Sequence, residues 1–249
     1  MSEARVLRQD RDGLATLTLN RPDKLNALDN ESFHEFDAHL ADLERQTETI
    51  GCVVLRGSGR GFCSGADLTS ISPGTLQFKP RIIDRLAALP QPTIAAVHGV
   101  CYTGGLELAL ACDFIVADAG ARFADTHGKW GLVGAWGMVQ RLPRRIGAQA
   151  AKAMMMTGQV HSAAEAHAIG LVDLLAGEGE FETRLAGFAG QILANSWHTN
   201  GHTKRLMRLA DGMSLEQALQ YQRDNEPGRA PDYEDRIAAF SRRGQGVAK

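Results

Sequence analysis

The sequence predicts an α/β layered core followed by a C-terminal helical region, and three observations carry that reading. From the N-terminus to about residue 120, β-type apolar runs alternate with stretches of helical spacing, the pattern of a sheet with helices packed on it. Beyond about residue 140 almost every periodic stretch is helical. The chain has 249 residues, 44% hydrophobic and 22% charged, enough to bury its own core without a disulfide or a metal.

Taken in order, Val6 to Leu19 alternates around Asp10-Arg11-Asp12-Gly13, a hairpin pattern. Asp29 is placed to cap a helix that carries Phe33, Phe36, Leu40 and Leu43. Cys52-Val53-Val54-Leu55 is the continuous apolar run of a strand buried on both faces. A glycine-rich turn follows at Gly57 to Gly61. Ile71 to Lys79 then reads as loop, Arg81 to Leu89 as a short amphipathic helix, Thr93 to Val97 as strand, Gly104 to Cys112 as helix and Phe114 to Ala117 as strand. Helices are expected over 148–156, 162–169, 182–194, 203–209, 214–225 and 232–242, with Val172 to Leu175 strand-like among them. The expected division is a core over 1–190 and a helical region over 191–249.

Charge excludes several partners. With 27 basic against 29 acidic residues and a net charge of −2, no broad positive field is available for nucleic acid or an anionic membrane surface. The longest apolar stretch, Pro92 to Cys112, is interrupted by His98, Gly99, Gly104, Gly105 and Glu107, so no membrane span is expected. The N-terminus lacks the basic and apolar regions of a secretion signal, and a cytoplasmic location is the expectation. Cys52, Cys63, Cys101 and Cys112 form no C-x-x-C pair and read as buried reduced thiols.

The glycine-rich segments differ in what they offer. Gly57 to Gly61 leads into Phe62-Cys63-Ser64 rather than opening a helix, so it lacks the dinucleotide fingerprint, and no Walker sequence occurs. His34 and His39 are five apart, about 140° around a helix, and make no metal site. In Ser64-Gly65-Ala66-Asp67-Leu68, by contrast, small residues allow close backbone approach, and Asp67 suits a turn or cap. In Tyr102-Thr103-Gly104-Gly105-Leu106-Glu107 a glycine pair opens an apolar helix whose first N–H groups lack partners. One N–H from each segment aimed at one point makes an oxyanion hole.

These residues carry a family resemblance. Arg21-Pro22 with Asn26-Ala27-Leu28, Phe62 to Leu68, Gly104 to Ala109 with Cys112-Asp113, Gln140-Arg141-Leu142-Pro143 with Ile146-Gly147, and Ala164 with Ile169-Gly170-Leu171-Val172 occur in the order seen in the enoyl-CoA hydratase/isomerase (crotonase) superfamily. The chain resembles that family over nearly its whole length, to Arg236-Ile237-Ala238-Ala239-Phe240. The resemblance implies a crotonase-like ββα superhelix core, a C-terminal helical trimerisation region, and assembly as a homotrimer or dimer of trimers. It also implies an acyl-CoA thioester substrate whose enolate is stabilised. No cofactor is implied, because coenzyme A is part of the substrate.

Carried over by position, the oxyanion donors resemble the backbone N–H groups of Ala66 and Gly104. Lys24 to Ala27 and Ala66-Asp67-Leu68-Thr69 resemble the walls that hold the bent CoA. Phe240 and Arg243 match an aromatic and basic pair that in some members reaches a neighbour's CoA; Arg243 also reads as a solvated tail charge. Glu107 lies three residues after Gly104, so its side chain can share a face with that N–H. A carboxylate within so apolar a run reads as catalytic, against a role in compensating helix charge. Whether burial raises its pKa or the helix N-terminus lowers it stays open.

Family hydratases carry a second glutamate about twenty residues further on, where this chain has His127. Imidazole can serve as general acid or base, and Asp125 is a rival for that role. The expected reaction is addition of water across the 2,3 double bond of an enoyl-CoA, with Glu107 as base and Glu107 or His127 returning a proton to C2. Isomerisation, C–C hydrolysis, decarboxylation and non-catalytic acyl-CoA binding are the alternatives. Trp130 and Trp136 read as core aromatics or as walls of the acyl pocket, which the loop from Ile71 to Pro80 would also shape.

Overall fold

A computed structural model describes residues 3–70 and 77–246, with side chains for all of these except Ser70 and 243–246. Strands β1 (Val6–Arg11) and β2 (Leu14–Leu19) form the expected antiparallel hairpin, with Val6 opposite Leu19. Helix α1 (Asn30–Leu43) is capped as expected, the Asp29 side chain accepting from the Ser32 N–H at 2.8 Å. Strand β3 (Cys52–Gly57) follows, then α2 (Phe78–Ala88) and β4 (Thr93–Val97). The short β5 (Val100–Tyr102) leads into α3 (Gly104–Leu110), and β6 (Phe114–Ala117) and β7 (Arg122–Ala124) continue the chain.

The strands alternate between two sheets. The larger runs β1-β2-β3-β4-β6 and ends on β9 (Leu174–Leu175), parallel from β2 onward. The smaller pairs β5 with β7 in parallel and β7 with β8 (His161–Ser162) antiparallel. Each turn of chain thus lays one strand in the large sheet and the next segment in the small one before a helix: β4, β5, α3 is one such unit. The preceding turn repeats it, because after β3 Cys63 bridges Cys101 in parallel before α2 begins. This is the ββα superhelix of the crotonase fold. Both faces of the large sheet are covered. Leu17, Leu55, Ala95 and Ile115 belong to the main core, while Val54, Ile94 and Val116 pack with Phe181, Leu185 and Ala189 of α7 (Phe181–Ala194).

Helices α4 (Met138–Ile146), α5 (Ala148–Thr157) and α6 (Ala163–Ala168) precede α7, and α8 (Trp197–Ala210), α9 (Leu215–Asp224) and α10 (Tyr233–Gly246) follow it. Neither α8 nor α9 buries a single residue, and Met207, Leu215 and Phe240 are exposed. No helix among the described residues is long and apolar enough to cross a membrane.

Several boundaries depart from the sequence expectation. Helix α2 starts at Phe78 rather than Arg81, so Lys79 is helical and not loop; Pro80 falls in the first turn, where its missing N–H has no carbonyl to serve. Residues 71–76 of the expected loop lie outside the described residues. Helix α4 was not expected, and Pro143 inside it obscures the pattern. Helix α8 begins at Trp197 rather than at the expected Thr203; Ser196 caps it and the Trp197 ring lies on Gly13 and Gly51. Strands β5 and β7 are too short for a period of two to show.

Candidate active site

The segment of Ala66 is held by a local network. The Leu28 N–H donates to the Gly65 carbonyl at 2.8 Å and the Asp67 N–H to the Leu28 carbonyl at 3.0 Å, which leaves the intervening Ala66 N–H directed away from Leu28. Arg21 fastens this bridge: its guanidinium donates to the Ala27 carbonyl at 2.5 Å, lies 3.0 Å from the Asp67 carboxylate and 3.3 Å from that of Asp29. The segments of Lys24 to Ala27 and Ala66 to Thr69, expected as two walls, are therefore one continuous edge. Asp67 also accepts from the Thr69 hydroxyl at 2.6 Å. That hydrogen bond, with help from Arg21, holds its carboxyl below the usual range.

The second expected donor segment is the start of α3. Thr103 takes φ +53 and ψ −115, a conformation that costs a β-branched residue about 1–3 kcal/mol. Its N–H donates to the Ala124 carbonyl at 2.9 Å, and its hydroxyl pairs with that of Thr126 at 2.7 Å. The strained turn sets the direction of the next peptide, whose N–H belongs to Gly104. Gly65, at φ +116, closes against this point: a Cβ there would lie 3.2 Å from the Gly104 nitrogen. The two expected donor segments are thus in contact, and neither the Ala66 nor the Gly104 N–H is taken by another group among the described residues.

Glu107 lies in the first turn of α3, one turn beyond Gly104, and is 1% exposed. Its Oε1 accepts two backbone N–H groups, from Trp136 at 2.7 Å and Met138 at 3.0 Å. Its Oε2 lies 3.6 Å from Nε2 of His127. Burial pushes the Glu107 carboxyl above its ordinary value, against the opposing pull of the two N–H donors and His127. The imidazole is oriented in turn: Nδ1 of His127 lies 2.6 Å from Oδ1 of Asp125, which also accepts the His127 N–H at 3.1 Å. Burial alone would lower the His127 pKa, but the Asp125 hydrogen bond and the charges of Glu107 and Asp125 outweigh it, and the net direction is up.

The remaining expected residues fall as follows. Lys24 is exposed and Ala27 half-buried on the shared edge, with Leu68 and Thr69 exposed beyond it. Phe240 is 76% exposed on α10, far along the chain from this cluster; the Arg243 side chain lies outside the described residues. All four cysteines are free and buried, as expected. No group of three or more His, Cys, Asp or Glu side chains among the described residues could hold a metal. Trp130 is 62% exposed and so is not a core aromatic.

Trp136 packs where the sequence could not place it: its ring lies on Gly104, so that a Cβ there would meet Cζ3 at 2.4 Å. Asn26, read from the sequence only as part of the Asn26-Ala27-Leu28 motif and the Lys24 to Ala27 wall, also holds neighbouring loops together. At φ +56 and 1% exposed, Asn26 ties Ser58, Gly61 and Arg21 together through its side-chain amide. Its place between Arg21-Pro22 and Ala27-Leu28 was the available signal.

The chain is similar to known proteins in sequence and in fold. The model of a family described as enoyl-CoA hydratase/isomerase matches residues 9–234. The chain is 32% identical over 241 residues to the 1,2-epoxyphenylacetyl-CoA isomerase of Escherichia coli, covering 92% of each. It is 30% identical over 237 residues to the short-chain-enoyl-CoA hydratase of Clostridium acetobutylicum, covering 91% of this chain and 90% of that one. Among solved structures, an enoyl-CoA hydratase from Bacillus anthracis superposes with a TM-score of 0.91 at 27% identity over 96% of each chain.

Proposed function

The chain belongs to the enoyl-CoA hydratase/isomerase family, and from that premise we propose that it adds water across the 2,3 double bond of a 2-enoyl-CoA thioester. The observation that carries this reading is the facing pair of Glu107 Oε2 and His127 Nε2, 3.6 Å apart, beside two backbone donors. Coenzyme A enters with the substrate, and no further cofactor takes part.

The thioester oxygen accepts from the Ala66 and Gly104 N–H groups, which gain strength as charge moves onto it. Because Oε1 of Glu107 is occupied, Oε2 is the oxygen that accepts a proton from water as the water oxygen attacks C3. The Asp125 hydrogen bond leaves Nε2 of His127 free, and in the imidazolium form that nitrogen donates its proton to C2. One proton is gained by Glu107 and one lost by His127, so transfer from Oε2 to Nε2 restores the starting pair. The raised pKa of each group suits its part: the carboxyl is a stronger base than an exposed glutamate, and the imidazolium persists nearer neutral pH.

The experiment is incubation with crotonyl-CoA and identification of the product by mass and chirality. Gain of one water at C3 supports hydration, whereas a product of unchanged mass with a moved double bond replaces it by isomerisation. Assembly as a trimer or pair of trimers is part of the same proposal, supported by the exposed apolar residues of α8, α9 and α10. Light scattering on the eluting protein tests it, and a monomer at micromolar concentration overturns it.

A further inference from the structure

The mechanism above leaves the Gln140-Arg141-Leu142-Pro143 motif unused, although one of its side chains reaches the loop that holds Glu107. Val133 to Trp136 belong to no helix or strand. Among the described residues they make two hydrogen bonds only: the Trp136 N–H donates to Oε1 of Glu107 at 2.7 Å, and the Trp136 carbonyl accepts from Nη1 of Arg141 at 2.7 Å. Two residues on, the Met138 N–H is the second donor to Oε1, at 3.0 Å. A Cβ on Gly134 would lie 3.1 Å from Oε1 and 3.2 Å from Cε1 of His127, so the loop rests directly on the facing pair.

Arg141 is built into this corner. It stands in the first turn of α4, whose N-cap, Gly137, has φ +110 and no side chain to offer the helix. The guanidinium curls back over Gly137, so close that a Cβ there would collide with Nη1. Its Nη2 donates to Oδ1 of Asp84 on α2 at 2.6 Å. The Asp84 side chain is 71% exposed, and an ion pair so open to water adds little to stability. What it fixes is direction, because a planar fork held at one end presents its other N–H along a set line.

We propose that Arg141 is a positioning residue for Glu107: by holding the Trp136 carbonyl it keeps the Trp136 and Met138 N–H groups on Oε1 and so leaves Oε2 turned toward His127. The inference rests on the reading of Glu107 as the base and adds the residue that sets its orientation. With the guanidinium gone, no hydrogen bond among the described residues holds that carbonyl, and Gly137 lets the peptide between them turn. The two N–H groups then cease to meet at one oxygen.

The consequence for the base has a sign. Burial raises the Glu107 carboxyl; the Met138 N–H, the charge of His127 and the Trp136 N–H oppose it, and Asp125 adds a weak upward push. Loosening the two N–H bonds therefore raises the carboxyl further. Since the ionised form is the base, activity falls as pH drops through that pKa, and the acid limb of kcat/KM should move to higher pH.

The test sets wild type beside Arg141→Met, Arg141→Lys and Asp84→Asn, with folding checked by thermal melts. Arg141→Met is expected to lower kcat on crotonyl-CoA by about 10- to 100-fold, the scale of a misplaced catalytic group. Kd for butyryl-CoA should stay nearly unchanged, and the acid limb should move up while the alkaline limb moves less. Arg141→Lys, which keeps the charge and one donor, should recover part of the loss. Asp84→Asn should act in the same direction more weakly, and it serves if the Met variant does not fold. The titration is also read without turnover, from the carboxyl carbon resonance of Glu107 in glutamate-labelled protein, assigned by its loss in Glu107→Gln. If wild type hydrates no ester while this resonance titrates at higher pH in Arg141→Met, the role of Arg141 stands and the hydratase reading falls. A kcat near that of wild type, a loss that falls equally on Kd, or a carboxyl that titrates alike in wild type and variant overturns the proposal.

Discussion

The two halves of the proposed active site are made of different material. One half, Ala66 with Gly104, offers only backbone N–H groups, and its geometry is set by the Leu28–Gly65–Asp67 bridge and the strained turn at Thr103. The other, Glu107 with His127 and Asp125, is three buried side chains whose chemistry depends on who faces whom. A backbone donor tolerates many sequences so long as the conformation holds; a buried proton-transfer pair tolerates few. The half that departs from the paired glutamates expected from the family resemblance is the side-chain half, so in the proposed mechanism the hole would serve the thioester and the pair would select the reaction.

Substitutions on the two sides should therefore separate. Glu107→Gln keeps an acceptor for the Trp136 and Met138 N–H groups but removes the base, and kcat should fall by roughly 10³- to 10⁴-fold with Kd for a saturated acyl-CoA nearly unchanged. Full activity in that variant sinks the assignment. Gly104→Ala acts on the other half: its methyl would sit 2.4 Å from the Trp136 ring, displacing the donor, with an expected loss of about 10²- to 10³-fold. Combining it with Trp136→Ala should recover part of that loss. A double variant no better than the single one shows that the ring is not what Gly104 must accommodate. His127→Ala should cost about 10²-fold in kcat; hydration at the wild-type rate would mean that Glu107 alone moves both protons.

The same contrast explains what could be read from the sequence. Backbone chemistry leaves a trace in residue type, since only Gly65 and Gly104 permit the approach seen here, and both segments were recognised. Glu107 was legible as a carboxylate in an apolar run. Its surroundings were not: the N–H groups that fix Oε1 come from Trp136 and Met138, some thirty residues on, and no local pattern announces them. The direction of its pKa stayed open for the same reason, because burial and hydrogen bonding are tertiary quantities. Lys79 was placed in a loop, and only packing against Phe33 shows it buried. In the fold, long apolar runs such as β3 and β4 were legible, whereas the three-residue β5 and β7 depend on the neighbours they pair with.

The smallest effect is expected at Asp125, and it bears most directly on how the side-chain half works. Asp125 touches no reacting atom; it positions His127 by accepting at Nδ1 and thereby leaves Nε2 toward Glu107. Asp125→Asn preserves the shape but weakens that bond, the largest upward influence on the imidazole, and removes a charge, the smallest of them, while burial continues to pull its pKa down. In the proposed mechanism the imidazolium is the form that donates to C2, so activity should be lost as pH rises through the pKa of His127 in the folded protein. In the variant the alkaline limb of kcat/KM against pH should therefore move to lower pH, with about a 10-fold loss at neutral pH. The acid limb, where activity falls as Glu107 is protonated, should move far less, because the charge of Asp125 is the last and weakest of the influences on that carboxyl. An alkaline limb that stays in place would show that His127 is not the proton donor, and a loss without any shift in either limb would reduce Asp125 to a packing residue.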